Sequence, residues 1–239
     1  VPSTNNYLAI DEVPEGTDTL NISGTRLREM LEKREEIPEW FTYPEISKIL
    51  QAETKPKSET GICIYAVGLS GSGKSVLVRA LQERFTELND RRQMTILDGD
   101  IVRQELSKGL GFSREERSLN VRRIGYVASE VVKHGGICLC SNIAPYRDDR
   151  QVNREKISQH GKYLEVFVDT PLEKCEDRDC KGLYQLAREG KIKQFTGISD
   201  PFEAPEGAEY HFNNSNMVQL TKAVDDIIEC LVTDGYLCC

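Results

Sequence analysis

The stretch GLSGSGKS, Gly68 to Ser75, follows directly on the apolar run ICIYAV, Ile62 to Val67. It meets every fixed position of the pattern G-x-x-x-x-G-K-[ST]. Each residue type has a chemical reason. Glycines carry no Cβ, so backbone amides can turn inward and approach phosphate oxygens closely. A helical pattern runs from Lys74 to about Leu88, and its N-terminal amides and dipole favour an anion. Lys74 brings a cation to the terminal phosphates of a nucleotide, and the Ser75 hydroxyl is a hard oxygen ligand suited to Mg²⁺. A plain glycine turn would not require Lys followed by Ser. Gly68, Ser70, Gly71, Ser72, Gly73, Lys74, Ser75 and Val76 are therefore the candidate nucleotide-binding residues, with ATP and Mg²⁺ as the expected cofactors.

Outward from this loop, apolar β-rich runs alternate with helical patterns. Met94 to Leu97, Ile137 to about Ser141 and Tyr163 to Asp169 read as strands. Arg114 to His134 and roughly Val218 to Val232 read as helices. This alternation predicts a parallel sheet buried on both faces. Ahead of it, NISGTRLREML has apolar Leu27, Met30 and Leu31 at helical spacing behind a cap at Ser23 or Thr25. Trp40, Phe41 and Tyr43 cluster nearby and are expected to pack. QAETKPKSET, Gln51 to Thr60, reads as a solvated linker.

The composition excludes several classes. With 39 acidic and 31 basic residues in 239, the net charge is −8, which argues against a general nucleic-acid-backbone binder. No apolar run is long enough to suggest a membrane span. The opening VPSTNNYLAIDEVPEG lacks a basic start and an apolar core, so no signal peptide is expected. Because the first residue is Val1, the chain is expected to be cut from a longer polypeptide. The eight cysteines include no Cys-x-x-Cys pair and are accompanied by only three histidines, so reduced thiols are expected rather than a disulfide framework or a zinc site. Cys138 and Cys140 read as packing residues. The closing Cys238-Cys239 loosely resembles a prenylation signal, but a domain end within a fusion is the preferred reading. Cytoplasm is the expected compartment, with a plastid as the alternative.

The loop does not name the phosphate acceptor. LDGD puts Asp98 and Asp100 at the C-terminal edge of the sheet, where open α/β folds bind ligands, with Arg103 one helical turn on. An Asp beside a hydroxyl can orient it or take its proton, and an Arg can hold an acidic group. The wider set DGDIVRQELSKGLGFSREERSLNVRRIGYVA, SNIAPYRDDR and EVFVDTPLEKCEDRDCKGLYQLAREGKIKQFTGISDPFEAPE closely resembles adenosine-5'-phosphosulfate (APS) kinase from about Ile62 to Tyr210. ISGTRLREML and IPEWFTYPEISKIL resemble the C-terminal end of ATP sulfurylase. The order is similar to that of fused sulfate-activating enzymes.

The resemblance implies a three-layer α/β P-loop fold with a mostly parallel five-stranded sheet and a helical lid, preceded by a small helical appendage. It divides the chain into a sulfurylase-like remnant at 1–50, a linker at 51–60 and a kinase domain at 61–239, with the lid at about 178–197. It also assigns roles. Asp100 orients or deprotonates the ribose 3'-hydroxyl, and Asp98 joins Ser75 as a metal ligand. Arg103, Arg117 and Asn120 suit the phosphosulfate and adenosine of APS, and Phe112 and Phe195 suit an aromatic sandwich for its adenine. Lys181 meets phosphate when the lid closes, and Arg178 helps hold the nucleotide. Ile143, Ala144, Pro145, Leu183, Thr196 and Gly197 surround the substrate, and Asp200 lies beside the substrate loop. A sulfurylase domain in the same polypeptide and a homodimer are the implied partners.

Two positions depart from the family pattern. Ile101 stands where an Asn is usual, which removes an amide. Ala144 stands where a Ser is frequent, so no phosphoserine can form there. The implied reaction is MgATP + APS → ADP + 3'-phosphoadenosine 5'-phosphosulfate (PAPS). The alternatives are a silent kinase-like module that binds PAPS to regulate a fused sulfurylase, and a P-loop kinase for another small hydroxyl acceptor. A silent module could dispense with Lys74, Ser75 and the glycines.

Overall fold

The computed structural model describes residues 12–14, 16–214 and 216–237. Cys238-Cys239 and the whole of the opening VPSTNNYLAID lie outside them. The chain divides into two compact units, residues 1–57 and 58–239.

Among its described residues the first unit holds two α-helices, α1 (Gly24–Glu32) and α2 (Pro44–Glu53). Of the two candidate caps, Ser23 is used: its side chain accepts the Arg26 amide at 3.1 Å. Met30, Leu31 and Ile37 are buried. Gln51 to Glu53, expected in the solvated linker, form the last turn of α2, and the Gln51 amide donates to the Glu35 carbonyl at 3.2 Å. Trp40 and Phe41 meet edge to face at 6.0 Å. Tyr43, expected to pack with them, is 74% exposed.

The second unit is a five-stranded parallel sheet with helices on both faces. Its elements run β1 (Ile62–Val67), α3 (Lys74–Glu87), β2 (Met94–Asp98), α4 (Gly99–Glu105), α5 (Arg114–Lys133) and β3 (Ile137–Ser141). They continue with α6 (Arg147–Ser158), β4 (Lys162–Val168), α7 (Leu172–Arg178), α8 (Leu183–Arg188), β5 (Tyr210–Phe212) and α9 (Met217–Thr233). The strand order is β2-β3-β1-β4-β5, with every pairing parallel. All six residues of β1 are buried, which explains its unbroken apolar run.

Alternate β1 residues serve two cores. Ile62, Ile64 and Ala66 pack with Leu77, Leu81 and Phe85 of α3 and with the apolar face of α9. Cys63, Tyr65 and Val67 pack with Val121, Ile124 and Ala128 of α5. Cys138 and Cys140, two residues apart, share one face of β3, and their Sγ atoms are 3.7 Å apart. The Cys63 Sγ lies 4.0 Å from that of Cys140, and all three thiols are fully buried. Several elements are not delimited by the sequence pattern, β5 and α6 among them, besides the short α4 and α7. Strand β5 is three residues long, and α6 (RDDRQVNREKIS) is too polar for its buried side to stand out, since that side includes Asp149, Arg150 and Asn153.

Helix α3 carries the phosphate loop into the sheet, so its packing underlies the site. Leu81→Ala is expected to cost about 2–5 kcal/mol of unfolding free energy. Urea denaturation followed by circular dichroism checks this: the midpoint falls at unchanged slope, and a change below about 1 kcal/mol would contradict the packing described.

Candidate active site

The loop after β1 is held by its backbone. The Ser72 carbonyl accepts from Thr170 Oγ1 at 2.8 Å, Asn214 Nδ2 at 2.9 Å and Arg178 Nη1 at 3.4 Å. Arg178 also donates to the Gly71 carbonyl at 3.1 Å and, through Nη2, to the Asn214 carbonyl at 2.8 Å. Tyr184 of the α8 segment donates to the Ser70 carbonyl at 2.8 Å. With these carbonyls engaged by protein, the loop is fixed from behind. Gly73 has φ +104°, and an added Cβ there would fall 1.9 Å from the Asn214 amide nitrogen, so no larger residue fits.

Lys74 is buried, and its ammonium donates to the Leu69 carbonyl at 2.6 Å and contacts Ser72 Oγ at 3.4 Å. Burial pushes its pKa down to about 8, since desolvation disfavours the charged form. The Ser75 hydroxyl donates to Asp98 Oδ2 at 2.9 Å and lies 3.1 Å from Ser141 Oγ. Asp98 ends β2 and caps α4, its Oδ1 accepting the Asp100 amide at 3.0 Å. A hydroxyl and a carboxylate thus stand side by side, a set of hard oxygens that fits Mg²⁺. Lys181 Nζ pairs with Asp100 Oδ2, tying the lid to the end of β2.

Opposite the loop, Arg117 is almost wholly buried and joins two aromatic-bearing segments. Its Nε donates to the Phe112 carbonyl at 2.9 Å, and its Nη1 donates to Thr196 Oγ1 and to Asp200 Oδ2, the latter at 2.9 Å. Asp200 Oδ2 also accepts from the Tyr146 hydroxyl at 2.7 Å. The Arg103 guanidinium lies 4.5 Å from the centre of the Phe112 ring, a cation–π contact, and donates to the Gly111 carbonyl at 2.9 Å. Phe195 meets Tyr184 edge to face at 5.0 Å. Glu116 completes a capping box with Ser113 and also accepts the Gly111 amide at 2.8 Å, which shapes the Phe112 turn. Hydrogen bonds from Gly111 and Ser113 hold its carboxyl below its usual pKa. Ala144 adopts φ +43° and is buried, its carbonyl taken by Arg150 Nη1 at 2.8 Å.

Both halves line one cavity of about 640 Å³ at the C-terminal edge of the sheet. It gathers Ser70, Gly71, Gly73, Lys74, Ser75, Val76 and Arg178 on the loop side. Asp98, Asp100, Arg103, Phe112, Arg117 and Asn120 line it further round, as do Ile143, Ala144, Pro145, Lys181, Leu183, Phe195 and Thr196. Three candidates fall outside it. Gly68 backs onto the Val168 carbonyl, Gly197 onto the Leu69 side chain, and Ser72 turns its carbonyl into the protein. Ile101 is 60% exposed and does not line the cavity. The lining also includes Ser141, Asn142, Tyr184 and Asn214, which the sequence reading does not single out.

A phosphate loop after β1, an acidic pair ending β2 and a lid carrying a lysine define a P-loop phosphotransferase of the α/β class. The family model for adenylylsulphate kinase matches residues 60–213, and that for ATP-sulfurylase matches residues 4–53. The chain belongs to the adenylylsulphate kinase family, with an ATP-sulfurylase fragment ahead of it. Sulfate adenylyltransferase of Aspergillus oryzae is 45% identical over 236 residues, covering 99% of this chain and 41% of its own length. That of Gibberella zeae is 46% identical over 205 residues, covering 86% and 36%. The chain thus spans about two fifths of the curated relatives it matches. Among solved structures, the hexameric APS kinase from Thiobacillus denitrificans superposes with TM-score 0.72 at 35% identity, covering 97% of this chain and 41% of that one. The Mycobacterium tuberculosis APS kinase in complex with AMPPNP and APS gives 0.67 at 34% identity, covering 72% and 98%.

Removing one donor from the Ser72 carbonyl tests the anchoring. Thr170→Val is expected to weaken MgADP binding about three- to tenfold by calorimetry. Unchanged affinity would mean that the loop holds its shape without that bond.

Proposed function

We propose that this chain transfers the γ-phosphoryl group of MgATP to the 3'-hydroxyl of APS, giving ADP and PAPS. The observation that carries the proposal is the sharing of one cavity by the complete phosphate loop and the Arg103–Phe112–Arg117–Phe195 constellation. The loop amides and Lys74 hold the β- and γ-phosphates, which restores a charged partner to the buried ammonium. Phe112 and Phe195 take the acceptor adenine, and Arg103 and Arg117 favour its phosphosulfate. Asp100 accepts the 3'-hydroxyl proton as the oxygen–phosphorus bond forms and the bond to the ADP oxygen breaks. Lys181 leaves Asp100 for phosphate as the lid excludes water. Ser75 and Asp98 would hold Mg²⁺, which when bound would supply positive charge beside the nucleotide phosphates. Ala144 has no hydroxyl to carry a phosphoryl group, which supports direct transfer over a phosphoserine at that position.

A second reading is a silent module that binds PAPS and regulates a fused sulfurylase; the relatives' name, sulfate adenylyltransferase, supports only the fused sulfurylase part of it. The intact Lys74, Ser75 and glycines favour transfer, because PAPS binding alone needs no γ-phosphate cradle. The ATP-sulfurylase match at residues 4–53 supports a sulfurylase domain in the same polypeptide. A homodimer and a cytoplasmic location complete the proposal.

ADP release from MgATP in a coupled assay, with and without APS, tests it. APS-dependent ADP with an equal amount of PAPS is expected. No ADP, with PAPS still tightly bound, would leave the regulatory module. Lys74→Ala should abolish turnover, and Asp100→Ala should lower kcat at least about a hundredfold with little change in ATP affinity. An equal loss of both by Asp100→Ala would assign Asp100 to nucleotide binding instead.

A further inference from the structure

Asn142 follows the last residue of β3 and is only 5% exposed. Neither its Nδ2 nor its Oδ1 has a hydrogen-bond partner among the described residues. Such a group destabilises a free protein, so it calls for a reason outside the fold. Its place supplies one. The Asn142 backbone amide donates to the Ala66 carbonyl at the end of β1, 3.3 Å away. Gly99 packs so close that an added Cβ would lie 3.2 Å from Asn142 Cβ, which sets Asn142 against the turn carrying Asp98 and Asp100. The preceding Ser141 touches Ser75. Asn142 therefore lines the cavity where its loop side meets its acceptor side. The Asn120 Oδ1 is the other buried, unpaired carboxamide atom in the same lining.

We infer that Asn142 is a binding residue for the sugar hydroxyls of the acceptor nucleotide, a role that rests on the kinase reading above. The atoms left open select this ligand. An amide offers one donating and one accepting end, and both are free here. A sugar hydroxyl donates and accepts, so it can engage both. A water bound to a metal ion uses its lone pair on the metal and mainly donates, so it would leave Nδ2 unpaired. The internal competitor is the Tyr65 hydroxyl. Burial pushes the pKa of this phenol up, and the nearby Asn142 and Asn153 amides work against that; Asn153 donates to the hydroxyl at 3.0 Å, whereas neither amide atom of Asn142 comes within hydrogen-bonding geometry of it.

The role has a signature that a purely structural side chain lacks: removing the amide should help the free fold and harm the ligand. Asn142→Leu and, to control for bulk, Asn142→Ala are compared with the parent chain in two measurements. Thermal unfolding without ligand is expected to hold or rise, by about 2–4 °C for Leu. Calorimetry with APS in the presence of MgADP is expected to show about tenfold weaker APS binding for both variants, with MgADP affinity unchanged within about twofold. Lower melting temperatures with unchanged APS affinity would show the amide pairing within the fold and overturn the inference. Weaker MgADP with unchanged APS would assign the amide to the hydrated cation and overturn it equally. Failure of the parent chain itself to bind APS would remove the kinase reading, and this inference with it.

Discussion

The Ser72 carbonyl is the point on which the site depends. A loop of small residues has no shape of its own, and its amides face a phosphate only if its carbonyls are turned elsewhere. Thr170, Asn214 and Arg178 do this, by converging on one oxygen. They follow β4, follow β5 and end α7. The strand order places β4 beside β1 and β5 beside β4, so the sheet brings those distant segments behind the loop. The parallel sheet is thus part of the phosphate site, because without that order the carbonyl would have no partners.

The acceptor side is built on a comparable device with the charge reversed. Arg117 is a buried cation that joins the Phe112 turn to the Phe195–Asp200 loop, with Asp200 as counter-charge and Tyr146 fixing that carboxylate. A buried charge is tolerable only when paired and hydrogen-bonded, and Arg117 meets both conditions. The pairing sets the spacing of the two phenylalanines as well as placing a guanidinium by the cavity. Lys181 and Asp100 then link the segment before α8 to the end of β2 by an ion pair.

Much of this was legible in the sequence because its signals are local. A glycine-rich loop between a buried strand and a helix is readable within fourteen residues, and β1, α3 and α5 fall close to where periodicity puts them. What escaped is non-local or unpatterned. Strand β5 has three residues and owes its place to pairing with β4. Helix α6 buries Arg150, whose guanidinium is satisfied by Glu165 and by two carbonyls brought in from elsewhere. Glu116 reads as a surface charge until its capping box and Gly111 contact are seen. Asn142 and Asn214 carry no local signature, since their roles exist only once strand ends meet. That Phe112, Phe195, Arg103 and Arg117 line one cavity was expected through family resemblance and not through spacing. Ser72, Gly68 and Gly197 belonged to the right motifs yet proved to support the cavity from behind.

Both halves of one cavity, with an alanine where a serine could have carried phosphate, support a single displacement with no covalent enzyme intermediate. The most direct measurement is the stereochemical course at phosphorus, with ATP made chiral at the γ-position by oxygen isotopes and APS as acceptor. A single in-line displacement predicts inversion of configuration in the 3'-phosphate of the product. Retention would require two displacements and a phosphorylated protein group, and would contradict the account.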